Sequence, residues 1–358
     1  MTNCKRPFVG KTWLVLASLT AVVGTGCGSD DRLNPSVEAP STETPSTTDS
    51  AATDSAAIDS TLLGPDSLAV PDSTGGITES SILAAGTQPG IVLGSYTMPA
   101  SALSTVHTGT MLGGPVDENN VLSVLSAVRA KGGRMVLKMC KGADSYVKNA
   151  DGTFSLTKWK SLVDRFKKVN LGPYISDGTL MSHFLIDEPH RTAKWGGKII
   201  SQATLEAMAQ YSKNIWPNLP TVVRVVPSWL GNSSVTYRSL DAGWLQYAAY
   251  KGDPAKLLAA ETAAAKNKGL GLIVGINILD GGNGSSGVRG WTRGLWAMSA
   301  SEIRNYGTVM LNQSYACGFF NWSYQDFGVT YYNRTDIKGA LTDLSKKAKA
   351  HARTSCRQ

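Results

Sequence analysis

Residues that build metal and thiol sites are scarce in this sequence: five cysteines and four histidines among 358 residues. There is no Cys-x-x-Cys and no His-x-x-x-His spacing, so the usual ligand patterns of a structural zinc site are excluded. The glycine-rich stretch from Gly281 to Gly287 is not followed by Gly-Lys-Ser/Thr, so it is no phosphate loop. No Gly-x-Gly-x-x-Gly turn leads from a predicted strand straight into a predicted helix, so no dinucleotide site is expected. No cofactor and no metal is therefore expected. From Gly28 to Gln88 aromatic residues are absent altogether, and Ser, Thr, Pro, Asp and Ala dominate. Such a segment cannot bury enough apolar surface to offset its chain entropy, and residues 28–88 are expected to be a disordered linker.

Ahead of that linker stand Lys5, Arg6 and Lys11, an apolar stretch from Thr12 to Val23, and the small residues Gly24-Thr25-Gly26 before Cys27. The stretch is too short to cross a bilayer and reads as an export signal. Residues 1–27 resemble a bacterial lipoprotein signal. That resemblance implies that Cys27 becomes the lipidated first residue and holds the mature protein at the cell envelope, with plain secretion as the alternative. Cys140, Cys317 and Cys356 remain, enough for one disulfide, and Cys317 with Cys356 is a conceivable pair because the last helix should pack near the last strand. The linker holds ten acidic residues and one basic one, which leaves 31 Lys and Arg against 17 Asp and Glu in residues 89–358. A basic domain suits anionic glycans, lipid headgroups or nucleic acid. Export, and the lack of a basic helix with interleaved aromatics, argue against nucleic acid.

Residues 89–358 are close in length to the ~250 of a TIM-type (β/α)8 barrel. Apolar runs predict strands at Ile91–Tyr96, Val106–Met111, Arg134–Met139, Ser182–Ile186, Val222–Val226, Gly243–Tyr247, Gly271–Ile276 and Gly318–Asn321. Helical spacing lies between them at Asn119–Lys131, Leu156–Val169, Gln202–Trp216, Pro254–Lys268, Ala300–Tyr306 and Thr335–His351. Helices after strands one and five look absent or replaced by loops. The fold class is α/β, with a doubly wound open sheet as the alternative. His183, inside an apolar strand, reads as a core residue.

In a barrel, residues at the carboxyl ends of the strands converge on one mouth. Those residues are Tyr96, Met111, Lys138 with Lys141, Asp187 with Glu188, Arg224 with Trp229, Gln246 with Tyr247, Asn277 with Asp280, and Trp322 with Tyr324. Trp195, Trp229, Trp291 and Trp322 fall at predicted strand exits, and aromatic platforms with polar side chains complement the apolar face and hydroxyl rim of a sugar. Two adjacent carboxylates at one strand end suit glycoside cleavage, in which one group donates a proton while the other stays anionic. Alternatively the pair divides, one carboxylate entering the barrel and the other pairing with a cation such as Lys138 or Arg191.

The strand ending in Asp187-Glu188-Pro189, with Trp322 closing the last strand, resembles the (β/α)8-barrel glycoside hydrolases. In their largest clan the resemblance makes Glu188 the acid/base; Asp187 stands where that clan has Asn, and no Glu ends strand seven unless Asp280 takes the second role. The adjacent acidic pair also resembles N-acetylhexosaminidase-like barrels, in which Glu188 would protonate the leaving oxygen and Asp187 would orient the substrate's acetamide. Together these imply a catalytic set of Glu188, Asp187 and Asp280. Tyr96, Lys138, Arg224, Trp229, Asn277, Trp291, Trp322 and Tyr324 are candidates to bind a carbohydrate. A monomer is expected, tethered to the membrane only by its lipid. A glycan-binding protein without catalysis is a second reading, and a polysaccharide lyase a third. Lys138 as a Schiff-base lysine is a further alternative, and the Gly281–Gly287 loop is expected to be pliant enough to close over ligand.

Overall fold

The computed structural model describes residues 89–324, 327–352 and 355–357; the export segment with Cys27 and the linker 28–88 lie outside the described residues. Eight parallel strands close into a barrel in chain order. They are β1 (Leu93–Tyr96), β2 (Gly109–Leu112), β3 (Arg134–Leu137), β4 (Leu180–Asp187), β5 (Thr221–Arg224), β6 (Ala242–Tyr247), β7 (Gly271–Ile276) and β8 (Ala316–Asn321). The cylinder shuts where β8 pairs with β1, Leu93 against Phe319 and Ser95 against Asn321. Every predicted run overlaps one of these strands, because a strand covered on both faces is apolar throughout.

The helices are α1 (Val121–Ala130), α2 (Leu156–Asp164), α3 (Gly172–Ser176), α4 (Gln202–Ile215), α5 (Pro227–Gly231), α6 (Pro254–Asn267), α7 (Ala300–Leu311), α8 (Phe327–Tyr332) and α9 (Thr335–Ala350). After β1 there is only the 3-10 turn Ala100–Ala102, and after β5 only the five-residue α5. The helix expected to reach Val169 ends at Asp164, and α3 and α8 are additional. The helix expected to end at Tyr306 runs on to Leu311, because Gly307, Met310 and Leu311 continue its buried face and Gly307 lets Leu344 of α9 lie against the backbone.

α4 shows how the outer layer forms. Ser201 caps it by accepting from the Thr204 N–H at 3.2 Å, and Leu205, Met208, Ala209 and Ser212 make one buried stripe. Burying each Leu or Met there contributes about 1.5–3 kcal/mol. His183 of β4 meets that stripe: its Nδ1 lies 2.8 Å from Ser212 Oγ and its ring stacks on Trp159 at 5.7 Å. Burial lowers its pKa to about 3, so it stays neutral in the core.

Val92, Val136, Phe184, Trp244, Ile273 and Phe320 fill the cylinder. Cys317, near the start of β8, forms a disulfide with Cys356, and both join this interior group at the end opposite the mouth. Cys140 is free and buried. The bridge spans 39 residues. Cutting it with Cys317→Ala is expected to lower stability by about 4 kcal/mol through loop entropy, read as a reduced urea midpoint.

Candidate functional site

The last residue of β4 is Asp187, and Glu188 turns off the strand in the left-handed region with φ 48°. On a regular strand the two side chains would face opposite ways. The turn breaks that alternation and brings both carboxylates to one guanidinium. Arg224, the last residue of β5, donates through Nε to Asp187 Oδ1 and through Nη2 to Oδ2 at 3.1 Å. The same Nη2 lies 3.0 Å from Glu188 Oε1, and Nη1 donates to Gln246 Oε1 at 3.0 Å. Thr97 (φ 57°) and Lys141 (φ 66°), at the exits of β1 and β3, are left-handed too. A non-glycine residue there costs about 1–2 kcal/mol, and such strain gathers at functional sites.

Lys194 extends the network. Its Nζ donates to Asp187 Oδ2 at 2.8 Å and lies 3.0 Å from Asp144 Oδ2 and 3.6 Å from Glu188 Oε2. Burial alone would raise the Asp187 pKa; Arg224 and Lys194 outweigh it and hold the carboxyl well below the usual carboxylate range. Asp187 is therefore a fixed anion, with both oxygens engaged. Glu188 has the freer side, since its Oε2 faces Arg191 at 3.1 Å and that side chain is half exposed.

Lys138 points elsewhere. Its Nζ donates to Gly142 O at 2.9 Å and Asp144 Oδ1 at 3.2 Å, so it reaches the acidic pair only through Asp144 and Lys194. Tyr96 is buried, its ring 4.9 Å from Trp244 and 5.1 Å from Trp322. Trp322 also lies 5.8 Å from the Arg224 guanidinium. Tyr324 packs on Tyr332 at 5.7 Å and donates its N–H to Tyr96 O at 2.8 Å. Trp229 belongs to α5 and lies 6.1 Å from the His190 ring, while Trp291 is exposed in the loop after β7. Trp195 corrects the expectation of a groove position: it is fully buried and its Nε1 donates to Glu188 O at 3.0 Å, so it props the backbone of the turn.

At the end of β7, Asn277 bridges to Trp322 and its Oδ1 accepts the Asp280 N–H at 3.0 Å. The Asp280 carboxylate accepts from Thr292 N at 2.8 Å and Thr292 Oγ1 at 2.9 Å, which fastens the loop that carries Trp291. The glycine-rich loop is tied rather than loose. Glu302, the N3 residue of the α7 capping box, also accepts from Asn283 N at 2.7 Å and Ser285 Oγ at 2.9 Å.

Lys194, Asp144, Tyr250 and Lys251 escape a reading of the sequence. A buried acidic pair calls for cations nearby, and that requirement is the available signal for Lys194. Nothing in the sequence marks Asp144. Tyr250 is exposed beside the mouth, and Lys251 Nζ donates to Gln246 O at 2.8 Å. Among the described residues no three His, Cys, Asp or Glu side chains are grouped to hold a metal ion.

No protein-family model and no curated protein matches the sequence. Solved structures similar to it include a β-1,4-mannanase of glycoside hydrolase family 113, at 10% identity over 72% of this chain and 99% of that one, with a TM-score of 0.49. An endocellulase from Pyrococcus horikoshii in complex with cellotetraose shares 11% identity over 72% and 92%, TM-score 0.47. A family 30 subfamily 8 xylanase from Clostridium acetobutylicum shares 13% over 73% and 73%, TM-score 0.45. The likeness is one of fold alone.

Proposed function

We propose that this barrel is a glycoside hydrolase in which Glu188 protonates the leaving glycosidic oxygen and Asp187 is the assisting anion. The observation that carries the reading is the turn at Glu188, which directs two adjacent carboxylates to one arginine at a mouth bordered by Tyr96 and Trp322. The division of labour follows from their partners: Asp187 is fixed by Arg224 and Lys194, while Glu188 shares one oxygen with a half-exposed arginine. In the reaction Glu188 gives its proton to the departing oxygen as the C–O bond breaks. Water supplies hydroxide to the sugar carbon and returns the proton to Glu188. Asp280 is given no chemical step, because Thr292 engages both of its oxygens. Asp280→Asn is accordingly expected to keep kcat within about threefold of the parent in aryl glycoside assays, against the 10²–10⁴-fold loss expected of a reacting carboxylate.

The enzyme works at the cell envelope, exported by residues 1–27 and held by lipid on Cys27. Retention of the mature protein in membrane fractions, lost in Cys27→Ser, is the expected result. A second reading, a glycan-binding protein without turnover, is favoured by Asn277 at the end of β7, where a second reacting carboxylate would be expected. Screening polysaccharides and aryl glycosides for cleavage and binding in parallel separates the two, since binding without cleavage selects the second.

A further inference from the structure

Two donors at the mouth are buried without a partner. Neither the Tyr96 hydroxyl nor the Gln246 Nε2 group makes a hydrogen bond among the described residues. Arg224 donates to Gln246 Oε1 at 3.0 Å, so the amide is held with its NH2 turned away from the guanidinium. The Tyr96 ring is wedged against Trp244 and Trp322, and its hydroxyl lies within electrostatic reach of Arg224, Asp187 and Glu188. Both residues are grouped around Arg224, Gln246 through its Oε1 and Tyr96 through Trp322, and leaving buried donors without acceptors is costly, so an acceptor group that reaches either donor gains.

The charge around them selects the acceptor. Lys138, Lys194, Arg191, Arg224 and Lys251 stand against Asp144, Asp187 and Glu188, and Arg224 is already engaged by both acids and Gln246. The five cations exceed the three carboxylates by two: Arg191 shares Glu188 with Arg224 and Lys194, Lys251 has a backbone oxygen as its partner, and both are exposed. Lys251 is held beside Gln246 by its bond to the backbone oxygen of that residue. A sugar hydroxyl would leave that charge uncompensated and bring a proton of its own to place. A carboxylate accepts only and compensates the charge.

We propose that the mouth receives a glycan unit bearing a carboxylate, a uronic acid residue, whose carboxylate accepts from the Tyr96 hydroxyl and the Gln246 amide and is balanced by Arg191 and Lys251. The inference rests on the reading of the barrel as glycan-active. It is tested by titration calorimetry of the mature protein at physiological ionic strength, with polygalacturonate, alginate and glucuronoxylan, each beside its carboxyl-reduced counterpart. At least one acidic polymer is expected to bind about tenfold or more tighter than its reduced form. Tyr96→Phe, and Gln246→Met, which also costs Arg224 an acceptor and with it some stability, change no charge and are each expected to weaken binding of the acidic polymer about tenfold more than binding of its reduced form.

Equal binding of intact and reduced polymers overturns the proposal, and so does a preference for polyanions that ignores both neutral substitutions, since that is the behaviour of a basic surface. If neutral polysaccharides are cleaved with dependence on Glu188 and no acidic polymer is preferred, the uronate assignment falls and the hydrolase stands. If no polymer binds in either form, both fall.

Discussion

Replacing Glu188 with Gln is expected to lower kcat on a natural glycan roughly a thousandfold, within the range for removal of a general acid. Glycan binding should persist, because Gln has the same shape and can still accept from Arg224 Nη2, now 3.0 Å from Glu188 Oε1. Stability should fall modestly: the ion pair with Arg191, whose side chain is 50% exposed, is worth about 0–1 kcal/mol, and Arg224 and Lys194, which also face Glu188, keep Asp187 as their anion. The leaving group supplies the sharper check. A dinitrophenyl glycoside departs without needing a proton, so its cleavage should suffer far less than that of the natural substrate. Equal losses on both substrates, or none on either, would remove Glu188 from the role of proton donor.

Much of this arrangement is legible in the sequence. Several of the eight strands announce themselves as β-branched, continuously apolar runs, and the pairing of Cys317 with Cys356 is conceivable from the expected neighbourhood of the last helix and the last strand. Asp187, Glu188 and Arg224 are readable as mouth residues because a strand's carboxyl end is a position in the pattern. Trp195 defeats that pattern because an exit loop can fold under the mouth as easily as line it; its indole instead holds the Glu188 carbonyl. The glycine-rich loop does so for a related reason. Composition gives the freedom of its backbone, whereas the Asn283 N–H is caught by Glu302, a side chain on another element. The positive φ of Glu188 has no signature in the residue types at all, yet it decides that the acids converge.

Removing the guanidinium that both acids share is expected to be the most destabilising change at the mouth. Arg224→Leu leaves Asp187 buried with Lys194 as its remaining close cation, and breaking a buried pair in this way costs about 3–5 kcal/mol. The loss should depend on pH in a defined direction. Burial opposes the ionised Asp187 while Arg224 and Lys194 favour it more strongly, so its folded pKa lies below the unfolded value. That contribution is fully present above the unfolded value of about 3.9 and fades as pH falls through the folded one. In the variant the depression is weaker, and the gap between parent and variant in urea-unfolding free energy should be widest near neutrality and narrow below about pH 4. His183 and His107, whose pKa values burial lowers to about 3 and about 4, destabilise both proteins as pH drops below about 6.5 and so cancel in the difference. The double variant Asp187→Asn with Arg224→Leu should lose less than the sum of the single changes, because it leaves no unpaired charge. A gap that stays constant from pH 7 to pH 3, or strict additivity, would mean that Arg224 acts through packing on Trp322 and not through the anion beside it.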